Sequence, residues 1–219
     1  MNWRIRRHDL IFVSPKSWRA VLAARRDLAS DPLVAPWAAK EWPLVARRQL
    51  PGEMSGVALG LPLPPFAGKH RLSFHMQPED ILSTSHPPAL HVVRQAAPRV
   101  WWPTLDRLNS LASLHSMEVR VFGSLAWQAL TGLSYLTDRS DLDILFHVQR
   151  NTDLQNLTAD LARIEAGAPM RLDGELVRED GAAVNWREFY GGPQQILIKT
   201  AGSVALLDRS HFLVGEVRA

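Results

Sequence analysis

The 219-residue chain contains no cysteine. That excludes a disulfide framework, a thiol nucleophile, a thiolate zinc site and an iron–sulfur cluster. No apolar run approaches the roughly 20 residues that a membrane-spanning helix needs. The opening residues, Met1-Asn-Trp-Arg-Ile-Arg-Arg-His-Asp-Leu10, have neither the apolar stretch nor the small-residue cleavage site of a secretion signal. A soluble, cytoplasmic protein with no membrane partner is therefore expected. Neither Gly-x-Ser-x-Gly nor the P-loop lysine motif occurs, so an α/β-hydrolase and a Walker ATPase are unsupported. The eight histidines show no zinc spacing, and there is no internal repeat or low-complexity tract.

What is present is an ordinary globular composition, 46% hydrophobic and 21% charged. The length allows one large domain or two small ones, each with a core. The charge is unevenly placed. Residues 1–100 carry 14 Lys and Arg against 7 Asp and Glu, whereas residues 101–219 carry 11 against 15. A basic half joined to an acidic half suggests one part that meets anions and another that holds cations. Arginine supplies 21 of the 25 basic residues. Its planar fork matches phosphate and carboxylate, which favours anion recognition.

The first half reads as strands and short helices broken by prolines. Asp9–Val13, Leu44–Gln49 and Lys69–His75 are predicted strands, and Ser17–Leu28 a helix capped by Ser17. The stretch Gly60-Leu-Pro-Leu-Pro-Pro is expected to be neither helix nor central strand, and Ser83–Pro88 is expected to be a break. The prolines at 98 and 103 mark the expected domain boundary, giving domains over 1–100 and 101–219. In the second half, Leu105, Leu108, Leu111 and Leu114 lie at helical spacing. Glu118–Phe122 and Asp141–Val148 read as strands, with a helix from Leu125 to Leu130 between them. Leu154, Leu157, Leu161 and Ile164 mark another helix, capped by Thr152. Arg171–Val177 and Ala182–Phe189 read as paired strands around Glu179-Asp-Gly, followed by a strand over Gln195–Lys199. Six of the eight tryptophans, at 37, 42, 101, 102, 127 and 186, are expected in the cores and the domain interface.

The chemistry is concentrated in two motifs. Along a strand, Asp141, Asp143, Leu145 and His147 share one face, and Leu142, Ile144, Phe146 and Val148 the other. Two carboxylates at i and i+2 repel unless a cation bridges them. Oxygen ligands suit Mg²⁺ or Mn²⁺, which work through one or two carboxylates plus substrate phosphates. Upstream, Gly123-Ser124 lies between a strand and a helix, where phosphate oxygens can meet backbone N–H groups and the helix dipole. His147 reads as a packing residue at the strand end.

The order apolar strand, Gly123-Ser124, helix, loop, then Ser140-Asp-Leu-Asp-Ile-Leu145 resembles the signature of the nucleotidyltransferase superfamily related to polymerase β. The 16 residues between Ser124 and Asp141 make the loop longer than in minimal members. The resemblance implies an α+β fold: a mixed sheet with helices, plus a smaller N-terminal α/β domain. It implies that Asp141 and Asp143 hold metal and that the Gly-Ser turn grips the leaving phosphates. A third carboxylate on a neighbouring strand is also implied, with Asp173 preferred and Glu175 on the same face as the alternative.

Further residues carry a closer likeness. Trp42-Pro-Leu-Val-Ala-Arg-Arg-Gln49, Lys69-His-Arg71, Leu130-Thr-Gly-Leu-Ser-Tyr-Leu136 and Asn185-Trp-Arg-Glu188 resemble the malonate decarboxylase holo-acyl-carrier-protein synthases, the phosphoribosyl-dephospho-CoA transferases. The likeness runs from about His8 to Lys199. It implies transfer of the prosthetic group from triphosphoribosyl-dephospho-CoA to a serine of the apo acyl-carrier subunit of malonate decarboxylase, with release of pyrophosphate. In that setting Arg47, Arg48, Lys69 and Arg71 would bind donor phosphates or an acidic carrier surface, and Lys199 would reach the triphosphate. The plain alternatives are surface ion pairs and, for Lys199, the cap of a strand edge. One tryptophan could stack on the adenine. Another nucleotidyltransferase, acting on a small molecule, RNA or protein, and an inert binding module of the same fold are the competing readings. Nucleic acid is not an expected partner, because no basic-aromatic motif accompanies the basic half.

Overall fold

The computed structural model describes residues 5–50, 52–53, 55–192, 194–200 and 204–213. The chain divides into two compact units, residues 1–87 and 88–219. The division falls earlier than the boundary expected at 100/101. The reason is packing: Leu90, Val93, Ala97 and Trp101 belong to the hydrophobic core of the second unit.

In the first unit, β1 (Leu10–Val13), β2 (Leu44–Ala46), β3 (Val57–Pro62), β4 (Arg71–Met76) and β5 (Ile81–Ser85) form an antiparallel sheet in the order β4-β3-β2-β1-β5. Helix α1 (Pro15–Ala23) lays Trp18 edge-on against Phe74 of β4, with ring centroids 4.8 Å apart. Both large indoles of this core satisfy their N–H groups: Trp18 donates to the Val34 carbonyl and Trp37 to that of Pro43, each at 2.9 Å. A buried indole without such a partner would cost the core most of what its area contributes.

Three expectations for this unit are corrected. The Gly60-Leu-Pro segment lies in β3, a strand with neighbours on both sides. Pro62 is tolerated because it closes the strand, past Gly60, the last residue in register with β2. Ser83–Ser85 is part of β5 rather than a break, since an edge strand can turn Ser and Thr outward while its backbone pairs with β1. The helix starts earlier and ends sooner than predicted. Ser14 caps it by accepting the Ser17 N–H at 2.9 Å, Ser17 lies within its first turn, and α2 (Arg26–Ala29) is separate.

The second unit holds a six-stranded mixed sheet, order β11-β10-β9-β8-β7-β6. Its strands are β6 (Glu118–Val121), β7 (Leu142–His147), β8 (Leu172–Val177), β9 (Ala183–Asn185), β10 (Gln195–Lys199) and β11 (Val204–Asp208). Its helices are α3 (Leu90–Val93), α4 (Trp102–Leu114), α5 (Gly123–Thr131), α6 (Leu154–Ala166) and α7 (Trp186–Gly191). Only β7 and β8 run parallel, joined by the α6 crossover. Asp153, not Thr152, caps α6, accepting the Asn156 N–H at 3.0 Å. The strand expected to run to Phe189 stops at Asn185. There the Asn185 side chain accepts the Arg187 N–H at 2.9 Å and starts α7. Strand β11 had no counterpart in the sequence reading.

Alternation along β7 and β8 divides the sheet chemically. Leu142, Ile144, Phe146, Leu172 and Leu176 are fully buried against Leu105 and Leu108 of α4 and Leu157 and Leu161 of α6. Asp143, Asp173 and Glu175 occupy the opposite face. A slip of one residue would drive carboxylates into the apolar core, so the register is strongly fixed. Gly174 sits on the core face, where a Cβ would meet Phe146 and Trp186 at 2.8 Å each. Gly174→Ala is therefore expected to overpack the core and to lower unfolding free energy by about 1–3 kcal/mol. Urea denaturation measures it; an unchanged midpoint would refute this packing.

Candidate active site

The site grows from the end of β6. The Phe122 N–H donates to the Asp143 carbonyl at 3.0 Å, and the next residue, Gly123, turns left-handed at φ 64° to open α5. A Cβ at Gly123 would overlap the Asp143 carboxylate. The carboxylate thus lies directly on the first residue of a nine-residue helix, where N–H groups and the helix dipole favour negative charge. Ser124 is half-buried in the same first turn.

The β7–β8 register adds the second element. Asp143 stands opposite Asp173 in a parallel pair, so both side chains project from one face. Asp141 precedes β7 by one residue and falls on the same face by the two-residue period. Like charges directly opposite destabilise a sheet. Two groups soften this repulsion. The Asn185 amide donates to Asp173 Oδ1 at 3.2 Å. The Arg171 guanidinium lies 3.9 Å from Asp141 Oδ2 and 3.8 Å from Asp173 Oδ1. Glu175 lies one step further along the same face, opposite Leu145, and is buried with Lys199 Nζ at 3.1 Å from Oε1. Of the two candidates for a third carboxylate, Asp173 faces Asp143 while Glu175 is engaged with Lys199.

Among the described residues, no group of three or more histidine or acidic side chains stands as a ready-made metal cage. The donor set nonetheless suits a hard divalent ion, which takes one or two carboxylates and completes its shell with water and phosphate oxygens. Two observations favour a cation here: the Gly123 cradle that seats Asp143, and a guanidinium already standing between Asp141 and Asp173. Asp141, Asp143 and Asp173 are the side chains that could hold one.

The basic residues of the first unit separate into two kinds. Arg47 forms a bidentate pair with Glu53, at 2.8 and 2.6 Å, and also donates to the Leu59 and Arg48 carbonyls. It is committed within its own unit. Arg48 is half-buried beside it, whereas Lys69 and Arg71 are exposed where β3 turns into β4. Lys199 is paired with Glu175 rather than extended alone. Sequence reasoning gave no role to Arg171 or Asn185. The i, i+2 spacing of Arg171 and Asp173 repeats that of Asp141 and Asp143, but only the parallel pairing aligns the two.

A surface cavity of about 730 Å³ lies elsewhere, lined by Gln155, Thr158, Phe189, Tyr190 and Arg209 among others. It sits on α6, α7 and the end of β11 and includes none of Asp141, Asp143 and Asp173. Its α6 and α7 lining lies apart from the carboxylates of β7 and β8.

Two family models together span most of the chain. The N-terminal domain of phosphoribosyl-dephospho-CoA transferase MdcG matches residues 6–87, and the C-terminal domain of the same family matches residues 89–210. Curated proteins called phosphoribosyl-dephospho-CoA transferase are similar over nearly the full length. That of Bradyrhizobium diazoefficiens is 57% identical over 95% of this chain and 92% of its own. That of Xanthomonas euvesicatoria is 38% identical over 93% and 94%, and that of Pseudomonas putida 30% over 96% and 94%. No solved structure matches the chain.

Two outcomes test the geometry. Gly123→Ala combines a left-handed backbone with a collision, whereas Gly132→Ala has a similar backbone, φ 73°, and open space. The backbone alone costs about 1–2 kcal/mol. Gly123→Ala is expected to cost more than Gly132→Ala in urea titrations, and Asp143→Ala should remove the difference. Equal costs would show that the carboxylate does not rest on Gly123. In the first unit, Arg47, the Leu50 N–H and His75 hold the Glu53 carboxyl down at about 2 from its ordinary 4.5. A depressed folded value means the stabilisation is complete above pH 4.5 and is lost as pH falls from there through about 2. The melting-temperature deficit of Glu53→Gln should shrink over that interval. A deficit independent of pH would contradict the pair.

Proposed function

Since the chain belongs to the phosphoribosyl-dephospho-CoA transferase family, we propose that it moves that prosthetic group from triphosphoribosyl-dephospho-CoA to a serine of the apo acyl-carrier subunit of malonate decarboxylase. The serine Oγ forms a bond to the phosphorus nearest the ribose. The bond from that phosphorus to the bridging oxygen breaks, and pyrophosphate leaves with the electron pair. The serine proton passes to the Asp173 carboxylate. The product is a phosphodiester between the carrier and the prosthetic group.

The observation that carries this reading is the alignment of Asp143 with Asp173, beside Asp141 and the Gly123 turn, in a chain of this family. Such transfers depend on positioning and charge stabilisation more than on covalent chemistry by the protein. Asp141 and Asp143 are proposed to hold Mg²⁺ or Mn²⁺, with Asp173 as the third carboxylate. Held there, a divalent ion would neutralise charge developing on the reacting phosphate. Asp173 orients the serine hydroxyl and accepts its proton. The Gly123–Ser124 end of α5 receives the departing phosphates through backbone N–H groups. Lys69 and Arg71 are exposed basic side chains of the first unit, suited to a phosphorylated donor or an acidic carrier. On this reading the chain acts as a nucleotidyltransferase.

Mass spectrometry of the apo carrier subunit, incubated with enzyme, Mg²⁺ and the donor, should show an increase equal to the prosthetic group and its one linking phosphate. ATP in place of the donor should give none. Asp141→Asn and Asp143→Asn should each reduce the rate by ~10³-fold or more with the fold retained. Near-normal turnover by either variant, or an unmodified carrier with the wild-type enzyme, contradicts the proposal.

A further inference from the structure

The row of carboxylates contains a cation of its own. With Asp143 opposite Asp173 in parallel register, one step back places Arg171 opposite Asp141, and the Arg171 carbonyl accepts the Leu142 N–H at 2.9 Å. The backbone therefore fixes the origin of this side chain as firmly as it fixes the aspartates. Arg171 shares the face of Asp173, two residues on, and its guanidinium reaches both Asp141 and Asp173. The side chain is 60% exposed, so its place is set by charge rather than by core packing. Contacts of 3.8 and 3.9 Å on an exposed, flexible stem are loose, and such a pair is easily broken.

A guanidinium beside two carboxylates supplies one positive charge where a divalent ion would supply two. Both cannot occupy that space. Once displaced, the same fork is a strong bidentate partner for a phosphate. We propose that Arg171 is a displaceable counter-cation: it offsets part of the charge of Asp141 and Asp173 while no divalent ion is bound, and turns onto a phosphate of the donor when one is. This rests on the metal and donor reading of the preceding subsection. It gives Arg171 two opposed effects, weaker metal binding in the free enzyme and tighter donor binding in the loaded one. A residue with a merely structural role has no reason to show both.

The test is calorimetric titration of Mn²⁺ into the full-length chain without donor, for wild type, Arg171→Ala and Arg171→Lys, followed by donor KM and kcat for each. Removing a positive charge beside a divalent site should tighten Mn²⁺ binding about 10-fold in Arg171→Ala, and added salt should reduce the gain. Arg171→Lys keeps the charge and should bind Mn²⁺ nearly as wild type does. Donor KM should rise about 10-fold in Arg171→Ala, with kcat changed much less, as expected for lost ground-state binding. Equal Mn²⁺ affinity in wild type and Arg171→Ala overturns the proposal while leaving the metal site standing, and so does an unchanged donor KM. A wild-type chain that binds no Mn²⁺ overturns the metal reading and this proposal together.

Discussion

Two carboxylates on neighbouring strands repel, and much of the second unit can be understood as the means of keeping Asp143 and Asp173 side by side. The parallel β7–β8 register sets them opposite each other. The core face of the same strands makes that register hard to lose, because Leu142, Ile144, Phe146, Leu172 and Leu176 would have to leave a fully apolar interior for it to shift. The stabilisation therefore comes from one face of the sheet and is spent in holding an unfavourable charge arrangement on the other. The Gly123 turn, the Asn185 amide and the Arg171 guanidinium offset part of the repulsion locally.

The same logic explains which basic residues are free to act. Arg47 is bound on both sides of its fork by Glu53, and Lys199 is bound to Glu175, so each of these cations answers a carboxylate of its own unit. Lys69 and Arg71 are exposed on a hairpin connection of the first unit, where charge serves encounter with a partner better than it serves stability. The charge of the chain thus resolves into internal pairs such as Arg47–Glu53 and outward-facing groups such as Lys69 and Arg71.

Much of this could be read in the sequence, for reasons that are physical. The alternation Asp-Leu-Asp-Ile-Leu-Phe identified β7 and assigned its two faces, because a half-buried strand must separate carboxylates from the core. Gly123-Ser124 between a strand and a helix marked the turn. Pattern showed the β8–β9 hairpin through its Glu179-Asp-Gly turn, but not which strands distant in sequence pair. The parallel crossover through α6 is a long-range event, so the alignment of Arg171 with Asp141 stayed hidden although both residues were in view. Proline misled in β3, since a strand's last residue tolerates what its middle would not. Strand β11 was missed because Val204-Ala-Leu-Leu-Asp208 is a short apolar run without clear alternation. The early unit boundary followed from Leu90, Val93 and Trp101, whose partners are distant in sequence.

The central claim is that Asp141 and Asp143, with Asp173 facing them, form a cation site. Diffraction from crystals soaked in Mn²⁺, with data collected for its anomalous signal, tests it most directly. An anomalous peak is expected at coordination distance from the Asp141 and Asp143 carboxylates, with the Arg171 side chain moved away from Asp141. A clear map with no peak at these carboxylates, or with the metal bound elsewhere and Arg171 still seated between Asp141 and Asp173, would contradict it.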